Sequence, residues 1–148
     1  MLSEDRIKFF LEKSAKRTGR VFNSLAPLSQ SLLKNLGIIE RFENETFPTV
    51  AGFLIFSKEK PQNFDHFSRY VVRCVRYSGV TVASPIIDKA DIDGLLDEQI
   101  DSIQKFILRN IPLNATIVGT KRIEKYEYPE EGLRELVANA VIHRDYRL

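Results

Sequence analysis

Glu135, Asn139 and His143 follow one another at intervals of four residues. At 100° per residue that spacing puts them on one face of a helix, opposite an apolar one. A carboxylate and an amide one turn apart can act on a single ligand. The carboxylate can orient or deprotonate a water, and the amide oxygen can ligate a hard cation such as Mg²⁺. Taken bare, Glu-x-x-x-Asn is more often an exposed face carrying a helix-spaced hydrogen-bonding pair.

Other reactive residue types give plainer readings. The chain has two histidines, too few for His66 to build a metal centre, so it reads as a surface or half-buried side chain. Cys74, the only cysteine, excludes an internal disulfide or a cysteine-built zinc site and reads as a small core residue in an apolar strand. Arg73 and Arg76 point to opposite faces of that strand and do not form one phosphate clamp. Asp88, Asp91, Asp93 and Asp97 lack the spacing of a calcium loop and read mostly as helix caps.

The elements that must position these groups follow from pattern. Ser3, Glu4 and Asp5 start a helix with Ile7, Phe10 and Leu11 at helical spacing, and Gly19 closes it. A second helix is expected near Ser24, with Leu25, Leu28, Leu32 and Leu36 as its buried stripe and Gly37 as its stop. The apolar run 50–56 fits a strand or a short buried helix. Arg69 to Tyr77 reads as a strand ending at Gly79. Asp91 is expected to cap a helix with Leu95, Leu96, Ile100, Ile103 and Ile107 on one face, finishing before Pro112. Thr116 to Tyr128 reads as one strand or two. Pro129, Glu130 and Glu131 open a last helix with Leu133, Leu136, Val137, Ala140 and Val141 on one apolar face. The expected fold is α+β, a small mixed sheet with packed helices.

With 43% hydrophobic and 28% charged residues in 148, the chain can build a core and stay soluble. No run approaches the roughly 20 apolar residues of a membrane span. The charged N-terminus carries no secretory signal, so a cytoplasmic setting is expected. Net charge is +2, too even to announce nucleic acid by itself. Lys8, Lys13, Lys16, Arg17 and Arg20 crowd the first segment and Arg69, Arg73 and Arg76 a later strand. Both read most simply as a solvated helix face and strand ends.

The string Leu133-Arg134-Glu135-Leu136-Val137-Ala138-Asn139-Ala140 resembles the N-box of the GHKL ATPases. With its continuation, Val141 to Tyr146, it resembles the EALxNAxxHRDY hallmark of RecG-related proteins described as ATP-dependent DNA helicases or transcriptional regulators. These join an AlbA/Schlafen-like domain to a GHKL-like domain. Leu33 to Ile39 with Pro48 to Phe56, the strand Arg73 to Gly79, and the helix from Leu95 to Pro112 followed by Tyr128 to Glu131 agree with the same family. The likeness covers most of residues 30–148.

The resemblance implies Glu135 as general base and Asn139 as the Mg²⁺ ligand in the Mg-ATP site of the full-length protein, with ATP and Mg²⁺ as its cofactors. His143 to Tyr146 would shape the end of that helix. It also implies a connecting α+β domain over 1–128 and the opening helix of a truncated ATPase domain over 129–148. The acidic adenine-reading motif and the glycine-rich lid of such a site do not occur, so the chain is expected to be a non-catalytic fragment. DNA would be met through other domains, and a homodimer is a further expectation. No Gly-x-x-x-x-Gly-Lys-Ser/Thr loop occurs, so no translocating motor is expected. The alternatives are a stand-alone DNA-binding transcription regulator, with the first two helices as a partial helix-turn-helix, and a plain protein-interaction domain.

Overall fold

The computed structural model of the chain describes residues 1–23, 26–118 and 120–146. In chain order its elements are α1 (Glu4–Thr18), α2 (Gln30–Asn35), β1 (Ile39–Phe42), β2 (Glu45–Pro48), α3 (Val50–Phe56), β3 (Val72–Tyr77), β4 (Ile86–Ile92), α4 (Leu96–Asn110), β5 (Leu113–Val118), β6 (Lys121–Tyr126) and α5 (Glu130–Ile142). The α+β class is as expected. The small mixed sheet is not: consecutive strands pair antiparallel into three separate two-stranded sheets. Each strand of four to seven residues pairs with its neighbour in sequence, and helices separate one pair from the next.

The N-terminal core joins α1 to the first hairpin. The Ser3 hydroxyl accepts from the Arg6 N–H at 3.4 Å, and Gly19 ends the helix at φ 67°, the left-handed conformation that glycine adopts without strain. Ile7 and Leu11 bury against Ile38, Ile39 and Phe56, with Leu28, Leu32 and Leu33 packed alongside. The second helix differs from expectation. It is capped by Ser29, whose hydroxyl accepts from the Leu32 N–H at 3.2 Å, and runs six residues. Pro27 disfavours helical backbone at Ala26, which accounts for the late start. Leu36 is 44% exposed rather than part of a buried stripe, and Ser24 and Leu25 lie outside the described residues.

The run 50–56, left open by its pattern, is helix α3. Thr49 caps it, accepting from the Gly52 N–H at 2.9 Å and donating to the Gly37 carbonyl at 2.6 Å. A Cβ at residue 52 would lie 2.0 Å from the Ile38 carbonyl oxygen, so only glycine lets α3 approach β1 this closely.

The second core is built on β3, β4, α4 and α5. Ile92, Ile103, Phe106, Val137 and Val141 are its buried centre, with Val72, Cys74, Ala90 and Ile100 packed on it. Strand β4 was not anticipated, and it displaces the expected caps. Asp91 lies in that strand and binds Arg73 at 2.8 Å. Helix α4 instead starts after Leu95, whose N–H donates to the Glu98 carboxylate at 3.2 Å. Asp88 receives Arg109 at 2.8 and 3.1 Å and Asn110 at 2.7 Å. Arg109 first, then Asn110, hold the Asp88 carboxyl below its usual range. Asp93 pairs with Lys60, and only Asp97 serves a helix start, in the first turn of α4. Helix α4 ends before Pro112 as expected, and 113–126 holds two paired strands. No described helix is long and apolar enough to cross a membrane.

Candidate functional site

Helix α5 docks lengthwise on α4. Pro129 precedes its first residue, Glu130 and Glu131 occupy its first turn, and its N-terminal end is held by Gln104, which donates to the Glu130 carbonyl at 3.0 Å. Arg134 pairs with Asp101 across the helix interface. Val137 and Val141, four apart, are the residues that sink into the core. The expected apolar face was wider than the buried one: Leu136 is 68% exposed. At 100° per residue, Leu133, Leu136, Val137, Ala140 and Val141 span about 140° of arc, more than a single neighbouring helix covers.

Glu135, Asn139 and His143 are all exposed, on the side turned away from α4. The sequence reading of a shared face opposite the docked one therefore describes the geometry. Among the described residues, the Glu135 and Asn139 side chains make no hydrogen bond or ion pair. His143 ends the helix, and its N–H donates to the Asn139 carbonyl at 3.0 Å. Leu136 and Ile142 flank the polar residues, both largely exposed.

The residues just beyond α5 behave differently. Arg144 donates to the Val71 carbonyl at 3.2 Å and to the Arg69 carbonyl at 2.8 Å, with its guanidinium 5.5 Å from the centre of the Tyr70 ring. The Tyr70 hydroxyl donates to the Tyr146 carbonyl, and the Tyr146 hydroxyl donates to the Val141 carbonyl at 2.6 Å. The two rings meet edge to face at 5.4 Å. Burial pushes the Tyr146 phenol above its usual range.

Under this clasp lies a buried amide. Gln99, only 1% exposed, donates to the Tyr70 and Gly94 carbonyls at 3.0 and 2.9 Å. Gln62 donates to the same two carbonyls, at 2.9 and 3.1 Å, and accepts from the Gly94 N–H at 2.9 Å. Sequence reasoning passed over all three of Tyr70, Gln62 and Gln99. The one signal available was Gln99 itself, an amide lying between Leu96, Ile100 and Ile103 on the apolar face of α4. A cavity of about 330 Å³ opens between these elements, bordered by Val72, Ile103, Val137, Ala140 and Tyr146. It lies on the docked side of α5, and neither Glu135 nor Asn139 lines it.

The lesser candidates are structural. His66 is exposed beside Phe67. Cys74 is half-buried, and burial raises its thiol pKa. Arg73 and Arg76 have separate partners, Asp91 and Asn110. Among the described residues no group of three His, Cys, Asp or Glu side chains could hold a metal ion. As for the partial helix-turn-helix, α2 is six residues long and its one cation, Lys34, pairs with Glu40 at 3.3 Å. Comparison of the chain with protein-family models, curated proteins and solved structures gives no match.

Proposed function

We propose that α5 is the opening helix of an ATP-binding unit in an ATP-linked, DNA-associated protein, and that residues 1–128 link and position that unit or pair it with a second copy. The observation that carries this reading is the state of Glu135 and Asn139. They stand one helical turn apart, solvent-facing and unengaged, on a helix whose opposite face is fixed by packing and whose end is clasped by Arg144 and Tyr146. A rigid helix with a free carboxylate and a free amide is a preorganised donor set.

The donor chemistry suits Mg-ATP. Both groups offer hard oxygen, the kind Mg²⁺ takes while keeping several of its waters. Asn139 would hold the nucleotide's Mg²⁺ through its amide oxygen. Glu135, one turn earlier, would accept a proton from a water placed beside the phosphates. The metal would supply charge neutralisation at the phosphate oxygens. Groups that read the base and close over the phosphates must come from other segments, so this chain acts as a partner in the chemistry and does not hydrolyse ATP alone.

Calorimetric titration tests the reading. Mg-ATP should bind with a dissociation constant on the order of millimolar, because little offsets the cost of ordering the nucleotide on half a site. Binding should need Mg²⁺ and disappear in Asn139→Ala. Binding indifferent to Mg²⁺ or to that substitution would refute the assignment, and micromolar affinity would refute the half-site.

A further inference from the structure

The two basic clusters of the sequence have different fates in the fold. Arg73 and Arg76 are engaged by Asp91 and Asn110. In the first segment Lys8 pairs with Glu4 at 3.0 Å and Arg6 with Glu98 at 2.6 Å. Lys13, Lys16, Arg17 and Arg20, by contrast, are all exposed and form no ion pair among the described residues. No acidic residue occurs between Glu12 and Glu40, so Glu12, four residues before Lys16, is the one carboxylate on the last turns of α1, and it forms no ion pair among the described residues.

Helical spacing gathers these cations. From Phe9, steps of four lead to Lys13 and Arg17, and a step of seven to Lys16. Phe9, Lys13, Lys16 and Arg17 lie within about 100° of arc, turned away from the buried Ile7 and Leu11, and Arg20 follows the Gly19 cap just past the helix. Phe9 belongs to the same stripe and is 66% exposed, with Lys13 6.0 Å from its ring centre. The helix dipole accounts for Lys16 and Arg17, which occupy the last turn. It accounts for neither Lys13, a turn earlier, nor an uncovered aromatic ring among the charges.

We propose that this face of α1 is a contact surface for single-stranded nucleic acid, with Lys13, Lys16 and Arg17, and Arg20 just past the helix end, meeting phosphates and Phe9 stacking on a base. A row of exposed cations without ion pairs complements a regularly spaced polyanion, and an exposed ring beside them is the platform that unpaired bases use. An anionic membrane is the poorer fit. The apolar side of α1 is already consumed by the core, which leaves only Phe9 and the partly covered Phe10 to insert where a surface-bound helix presents a whole apolar face. This surface stands on α1 alone and is independent of the nucleotide reading of α5.

Fluorescence anisotropy with a labelled oligo-dT strand, a duplex of equal length and anionic phospholipid vesicles decides the matter. The strand should bind more tightly than the duplex. Its affinity should fall roughly fifty-fold between 50 and 200 mM salt if four phosphates are met. The triple variant Lys13→Glu, Lys16→Glu, Arg17→Glu should lose at least about tenfold in affinity, with its helix content unchanged by circular dichroism. A control with the same charge change placed elsewhere (Lys58→Glu, Lys105→Glu, Lys125→Glu) should lose much less. Phe9→Ala should weaken the strand about tenfold and leave the duplex unaffected. Equal losses in the two triple variants, an inert Phe9→Ala, or binding to vesicles in preference to the strand would each overturn the proposal.

Discussion

The two sides of α5 and of the residues that follow it do opposite things. The inner side is engaged: Val137 and Val141 sit in the core, Arg134 pairs with Asp101, and Arg144 and Tyr146 close the end onto the strand approach at Arg69 to Val71. The outer side carries Glu135, Asn139 and His143 with Leu136 and Ile142 exposed between and beside them. Fixing one side makes the other a rigid presenting surface. Side-chain chemistry alone does not announce this division, because leucine lies outside and arginine is tied down.

The largest effect should come from charging the inner side. Val141→Asp places a carboxylate among Ile92, Ile103 and Phe106, where an unpaired charge costs several kcal/mol. Urea denaturation should show the second core lost or severely weakened. The milder Val141→Ala should cost about 1–3 kcal/mol through lost burial and the cavity left behind. Leu136→Asp, by comparison, should change stability by less than about 0.5 kcal/mol, since that side chain is 68% exposed. A large loss from Leu136→Asp would mean that the outer side is buried, for instance against a second copy, and would break the comparison.

The clasp should give intermediate effects. Tyr70→Phe removes the hydroxyl that donates to the Tyr146 carbonyl and should cost about 1 kcal/mol. Amide exchange should quicken at residues 141–146 and stay unchanged in α1. Gln99→Ala and Gln62→Ala should couple, because both amides serve the Tyr70 and Gly94 carbonyls. A double-mutant cycle should show the pair to be non-additive.

A smaller effect should appear with acid. Asp88, bound by Arg109 and Asn110, titrates lower in the folded chain than in the unfolded one. A depressed carboxyl stabilises above its unfolded pKa, and that contribution is lost as pH falls through the folded value. Stability should therefore drop below about pH 4, and Asp88→Asn should flatten part of that drop. Because the Asp88 clamp secures the C-terminal end of α4, the acid step should loosen the inner side of α5 and leave the exposure of Glu135 unchanged.

Local signals made much of this legible in the sequence. The Ser3 cap with its acidic first turn, the glycine stops at Gly19 and Gly37, and the proline before α5 marked true boundaries because each acts within a few residues. What failed depended on distance. Asp91 looked like a cap for the apolar run after it, but Arg73, eighteen residues earlier, holds it in a strand. Strand β4 escaped notice because its carboxylates, Asp91 and Asp88, pair with Arg73 and Arg109, and such pairings are invisible along the chain. The Glu135–Asn139 face was readable from spacing, whereas the clasp was not. Tyr70 and Tyr146 lie 76 positions apart, and only the fold brings them together.

Residue-resolved NMR during a Mg-ATP titration tests the central claim most directly. The account predicts that, at millimolar nucleotide, amide signals of Glu135, Asn139 and His143 shift in a Mg²⁺-dependent way. Signals of Val137 and Val141 should move little, and the whole response should vanish in Asn139→Ala while stability is unchanged. Still signals on the outer side, or shifts that survive Asn139→Ala, would contradict it.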